Sequence, residues 1–196
     1  MSTLEVNTID SVSGTSNLTI GSSNSSQITL KSGATLTNFP DNAPSFQAYL
    51  GSNSSNLTMG TATKIEYNTE SWDIGGCYNN TGSTVTLNGL SATAYSFCPN
   101  VAGKYWIYAT ARVDASSNFP HDAYFAIYKN GSAVNIFQRV APSSDFNGTL
   151  RLGAAVDMNG TGDLIQIYMT LYDGVNAFIS NYSSSTLFGA YRLIGT

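Results

Sequence analysis

One histidine, two cysteines and twelve acidic residues are what this chain offers for metal ligation and for acid–base chemistry near neutral pH. His121 lies in Asn118-Phe-Pro-His-Asp122, so a Ser/His/Asp arrangement is arithmetically available in a chain with 26 serines. That abundance is why no serine stands out, and no Gly-x-Ser-x-Gly elbow presents one to a base. His121 therefore reads as an exposed loop residue. With Cys77 and Cys98 it falls short of the four ligands of a structural zinc site, and no metal site or cofactor is implied. The two cysteines are either one bridge between neighbouring strands or two buried thiols. Asp157-x-Asn159-x-Thr161-Gly162-Asp163 imitates the start of a calcium loop, but Tyr168 stands where the twelfth-position Glu belongs, so the segment reads as a hairpin turn. Glycoside hydrolysis needs two carboxyls held roughly 5–9.5 Å apart, and the spacing of the acids singles out no pair. The chemistry points away from an enzyme and toward binding.

Composition says what kind of surface would bind. Ser, Thr and Asn fill a third of the 196 residues, while charged residues reach only 10%. Soluble proteins carry roughly 25% charged residues, so this surface is one of hydroxyls and amides. Eight basic residues against twelve acidic ones, for a net charge of −4, exclude nucleic acid as the main partner. No apolar run approaches the ~18 residues of a membrane helix, and insertion into a membrane is not expected. An acid near the start, at Glu5, and no apolar run after it lead us to expect no signal peptide. With 42% hydrophobic residues, including 12 Tyr and 9 Phe, a substantial core can form.

Two textures divide the chain. Residues 1–42 hold short apolar-Thr-apolar units such as Leu18-Thr-Ile20 and Ile28-Thr-Leu30, separated by Gly/Ser/Asn turns. About 40 residues with so few large side chains build no core alone. They read as a β-rich stem in which several copies supply one another's core, with a flexible linker as the alternative. Pro40 and Pro44 mark the boundary. Over residues 43–196 the period of two takes hold: Ser45–Leu50, Thr63–Tyr67, Thr84–Leu87, Lys104–Val113, Ala123–Tyr128, Leu150–Val156, Asp163–Leu171 and Thr186–Ile194. Asn130-Gly131 marks a tight hairpin. No helical period is sustained. The expectation is an all-β antiparallel sandwich of roughly eight to ten strands.

The order of these segments resembles a known family. Phe97-x5-Gly103-x-Tyr105-x-Ile107 is similar to the signature of the complement component one-q globular head, a jelly roll related to tumour necrosis factor. Pro44-Ser-Phe46-x-Ala48-Tyr49, Ala126-Ile-Tyr-Lys-Asn-Gly131, Gly162-Asp163-x-Ile165-x-Ile167 and Leu187-Phe188-Gly-Ala-Tyr191-Arg-Leu193 resemble its other strands in the same order. Over about 150 residues the resemblance implies a jelly-roll β-sandwich that assembles as a homotrimer. The collagen triplets of the animal proteins are missing. Residues 1–42 are instead similar to the Ser/Thr/Gly-rich starts of bacteriophage fibre and appendage proteins.

Together these resemblances imply a virion protein on the tail or capsid surface. Residues 1–42 would hold other virion proteins, and the head would recognise a host surface glycan or protein. A capsid head fibre or decoration protein without a receptor is the alternative, and a polysaccharide depolymerase a more distant one. Contacts are expected from loops, where side chains vary without disturbing a core. Asn118, Phe119, His121, Asn181 and Tyr182 sit in turn-like segments and are the expected receptor-contact residues. Trp72, Tyr78, Phe146 and Phe178 also flank turns, and rings beside amides suit adaptable recognition.

Overall fold

The computed structural model describes residues 41–140, 147–181 and 185–194. They belong to a unit spanning Pro40–Thr196. Of the stem expected at residues 1–42, residues 1–40 lie outside the described set, as do Phe146 and Tyr182. Among the described residues every regular element is a strand. In chain order they are β1 (Ser45–Tyr49), β2 (Thr63–Lys64), β3 (Thr69–Ile74), β4 (Tyr78–Asn79), β5 (Val85–Leu87), β6 (Leu90–Ala92), β7 (Ser96–Phe97), β8 (Gly103–Ser117), β9 (Asp122–Lys129), β10 (Ser132–Val140), β11 (Gly148–Met158), β12 (Ile165–Tyr172), β13 (Val175–Ser180) and β14 (Leu187–Arg192). Nine of them run five residues or more, within the expected eight to ten.

All pairings are antiparallel. One sheet has the order β11-β8-β14-β1-β3, and β13 continues the β14 edge along the far half of β8. The second has the order β10-β9-β12-β7-β4, with β2 pairing farther along the β12 edge that β7 takes, and β5-β6 is a small hairpin. The core sits between the two larger sheets. Tyr105, Ile107, Ala109, Ala111 and Val113 of β8 are buried, as the alternation predicts, opposite Phe125, Ile127, Ile165, Ile167, Met169 and Leu171. Phe46 anchors this core, stacked at 4.3 Å on Tyr78 and edge-on to Phe188 at 4.8 Å. Tyr78, placed at a turn by its sequence neighbours, is 2% exposed and donates its hydroxyl to the Tyr67 carbonyl.

Residues of the resembled signature are fold determinants. A β-carbon on Gly103 would come within 2.9 Å of Arg192 Nε, so the glycine lets the guanidinium cross the strand end. Asn130 and Gly131 both have positive φ, 50° and 81°, the type I′ geometry of a two-residue hairpin. Asp163 ties this hairpin to the β11–β12 connection, which crosses from one sheet to the other and is not the hairpin turn expected there: it pairs with Lys129 at 2.8 Å and accepts from Asn130 Nδ2 and the Asn159 N–H. The calcium-like run is thus a turn whose carboxylate is already satisfied by protein donors.

The expected Lys104–Val113 strand extends to Ser117, because β13 pairs with its polar end through Val175 and Ser117. Between β13 and β14 the edge breaks, and Thr186 bridges the gap. Its buried hydroxyl accepts from the Arg112 N–H at 3.1 Å and donates to the Ser180 carbonyl at 2.7 Å.

Candidate recognition surfaces

Asn42 lies at the end of β8 where that strand begins. Asn42 O accepts from the Arg192 N–H, and Arg192 pairs with Tyr105 near the start of β8. The β8–β9 loop leaves from the other end of β8, about 40 Å of strand away. Asn118 is exposed there with φ 49°, and its carbonyl accepts from the Val175 N–H. Phe119 and His121 are each half-buried, and the His121 N–H donates to the Tyr172 carbonyl. Pro120 packs against Gly174, so this loop and the β12–β13 turn form one tip.

The expected contact residues do not form one cluster. Asn181 follows Ser180, which pairs with Arg112, while Val175 at the tip pairs with Ser117. About 17 Å of strand separates the two positions. The Asn181 N–H donates to Asn53 Oδ1 at 2.8 Å, which places it beside the β1–β2 connection rather than the tip. That connection lines a groove of about 380 Å³ together with Thr63–Glu66, Asn68 and Ile179. Residues 52–56, Ser-Asn-Ser-Ser-Asn, carry no motif in sequence that points to a groove wall.

A third surface lies on the outer face of the first sheet. Trp106 and Tyr108 alternate with buried Tyr105 and Ile107, so β8 is apolar on both faces. Tyr108 pairs directly with Gly153 on β11 and Gly189 on β14. Its ring lies over Gly189 and its hydroxyl donates to Gln47 Oε1 at 3.1 Å. The Trp106 ring covers Gly153, where a β-carbon would meet it at 2.8 Å. Tyr191 lies 6.4 Å from Tyr108, and Trp72 and Ile74 of β3 continue the face. Trp106, Trp72 and Ile74 are 38%, 39% and 57% exposed. Aromatic rings laid over glycines make this surface low and apolar. The doubled apolar parity of Tyr105-Trp-Ile-Tyr108 was the available signal, because a strand that is apolar on both faces is usually covered on both.

Other reactive groups serve the fold. Cys77 and Cys98 are free, buried thiols, joined only through the Cys98 N–H to the Cys77 carbonyl. Cys77 Sγ donates to Asp73 Oδ1 at 3.2 Å, and Asp73 also accepts from the Cys77 and Tyr78 N–H groups. Burial, then the Asp73 charge, pushes the Cys77 thiol far above its ordinary range. Burial, then the nearby Asp73, raises the Glu70 carboxyl.

No protein-family model matches the sequence, and no curated protein matches it either. Among solved structures, the crystal structure of murine APRIL at pH 8.0 is similar, with a TM-score of 0.52 at 13% identity, over 76% of this chain and 98% of that one. Murine APRIL at pH 8.5 gives 0.51 at 13% identity, and at pH 5.0 it gives 0.50 at 14%, each with the same coverage. At such identity the likeness concerns the fold alone: this chain carries an all-β, antiparallel jelly roll of the tumour necrosis factor type.

Proposed function

We propose that the chain is a homotrimeric attachment protein of a bacteriophage particle. Its jelly-roll head recognises a host surface glycan or protein, residues 1–42 hold it to other virion proteins, and it catalyses no reaction. The observation that carries this reading is the outer face of Trp72, Ile74, Trp106, Tyr108 and Tyr191. In a lone head this apolar patch faces water, and such patches mark contact surfaces. Its charges sit at the margins: Lys104 with Asp157 at one end, Arg151 at the other. Heads of the family that the sequence resembles bury aromatic faces of this kind around a threefold axis, and a closed symmetric assembly covers each copy's patch. The placement of Asn118–His121 far from Asn42 supports a distal, surface-recognising end. The likeness of residues 1–42 to phage fibre starts supports the attachment role.

Two measurements test the reading. The intact mass of the purified full chain at micromolar concentration should be that of three copies; a monomer sinks the trimer. Trimers should bind host cells and slow particle adsorption. Trimers that do neither leave a capsid head fibre or decoration protein, and release of oligosaccharides from host polysaccharide would make it a depolymerase.

A further inference from the structure

The β1–β2 connection holds no strand, yet it is tied down along its length. The Ser54 N–H donates to the Ile179 carbonyl at 2.9 Å, and the Ile179 N–H returns a bond to Ser54 Oγ at 2.8 Å. The Leu57 N–H reaches the Ala177 carbonyl at 2.8 Å. The Gly51 N–H is held by Asn68 Oδ1, also at 2.8 Å. Each anchor joins a backbone group to a strand, to the Ser54 hydroxyl or to the Asn68 amide. The groove beside this loop is therefore preformed, and a ligand need not order it first.

Its lining has a particular chemistry. The base is apolar and buried: Leu50, Ile65 and Ile179. Ser52, Ser55 and Thr58 line the wall, and their hydroxyls make no hydrogen bond among the described residues. Two charged residues also line it, and both are already engaged. Lys64 Nζ donates to the Ala94 carbonyl at 2.9 Å and lies 5.7 Å from the centre of the Tyr95 ring. Glu66 lies near the Tyr95 hydroxyl, whose pKa is raised by burial first and then by the Glu66 charge. The Lys64 and Glu66 charges are close enough to act on each other, so their opposite signs favour neither charge on a ligand, whereas a neutral one finds hydroxyls that both donate and accept.

We infer that this groove binds a neutral hexose segment of a surface glycan. The sugar's hydroxyls would meet Ser52, Ser55 and Thr58, and its C–H face would meet the half-buried Leu57, above the floor of Leu50, Ile65 and Ile179. A volume of about 380 Å³ sits at the small end of ligand sites, which run from about 300 to 1,000 Å³, so one or two sugar rings fit. Among the described residues no aromatic ring lines the groove, so a single site binds weakly and the assembly supplies strength by engaging several sites together. The biological source of the sugar rests on the attachment reading above; the chemistry of the groove does not.

Nuclear magnetic resonance titration of the full chain tests it, with methyl glucoside, methyl galactoside, methyl mannoside and lactose as probes and glucuronate as the charged control. At least one neutral sugar, at tens of millimolar, should shift the Ile65 and Ile179 methyls and the Ser52–Thr58 amides. Glucuronate should bind about ten-fold more weakly or worse, a difference of about 1.4 kcal/mol. Ser55→Arg and Thr58→Arg should each weaken sugar binding by about ten-fold or more with an unchanged melting temperature. No shift from any neutral sugar, or shifts confined to other surfaces, overturns the assignment. Cell binding separates it from the attachment reading. If wild-type and Ser55→Arg trimers bind cells equally, the groove is not the receptor site and attachment stands. If wild-type trimers bind no cells while sugars still titrate the groove, attachment falls and the groove stands. Loss of cell binding after protease treatment of the cells, but not after periodate, overturns the glycan assignment in favour of a protein receptor.

Discussion

Tyr108 lies across Gly189, its directly registered partner on β14. A β-carbon on that glycine would fall onto the phenol ring and within 2.8 Å of the Phe46 carbonyl oxygen. The glycine is thus the space the ring occupies. Gly189→Ala must move either the ring or the β1 backbone, and overpacking of this kind costs about 1–3 kcal/mol. A urea midpoint lowered in proportion to that loss, with an unchanged slope, is expected. Adding Tyr108→Ala should restore part of it, since the ring clash goes and the carbonyl clash stays. A single mutant as stable as wild type would show that the ring does not lie on Gly189.

The same low aromatic surface makes the proposed trimer separable from the fold. Trp106 points away from the core and is 38% exposed, so Trp106→Arg removes little that a single head needs. If this face is the shared surface, the substitution buries a charge there in three copies. Sedimentation should then report monomers at micromolar concentration, with melting no longer dependent on protein concentration. A Trp106→Arg trimer of unchanged mass would place the assembly on another surface.

How much of this was legible beforehand depended on whether a strand kept its alternation. β8, β9 and β12 did, through residues such as Tyr105/Ile107 and Ile165/Ile167/Met169, and their cores were readable from period alone. β3 did not: the register slips opposite Gln47 and Ala48, leaving Ser71 out of the pairing and breaking the pattern of Thr69–Ile74. β13 holds Asn176 at φ 52°, which reads as a turn residue inside what is a strand. Tyr78 looked exposed because Gly75, Gly76 and Asn80 surround it, yet long-range stacking on Phe46 decides its burial. Of the contact residues, Asn118 is exposed as expected, but the sequence could not say that Asn181 belongs to another region. That separation follows from the pairing of β13 along β8, which is tertiary information. The groove was hidden by composition, since one Ser/Asn run looks like any other in a chain this rich in both.

Asp163 gives the head a defined acid limit. Desolvation works against its charge, but the hydrogen bonds from Lys129, Asn130 and the Asn159 N–H, with the Lys129 charge, hold its carboxyl below the ordinary 3.8. A carboxyl depressed in the folded state contributes stability that is complete above its unfolded value near 4 and is lost as pH falls toward the folded one. The folded head should therefore lose stability as pH falls below about 4. Asp163→Asn should be less stable at neutral pH and should flatten this part of the curve. Parallel acid limbs for mutant and wild type would show that the Lys129–Asp163 pair contributes nothing to it.

Thr186 carries the last of these relationships. It is fully buried at the break between β13 and β14, where its hydroxyl takes the Arg112 N–H and satisfies the Ser180 carbonyl. Thr186→Val keeps the shape and strands both groups away from water, which costs about 1–3 kcal/mol for each group left unpaired. Thr186→Ser keeps the hydroxyl and should stay within about 1 kcal/mol of wild type, apart from the lost methyl. The two variants separate hydrogen bonding from packing. Amide hydrogen exchange localises the effect: in Thr186→Val the Arg112 amide should exchange faster while Ile107, in the middle of the same strand, stays protected. Equal loss in the serine and valine variants would show that the methyl, not the hydroxyl, holds the break together.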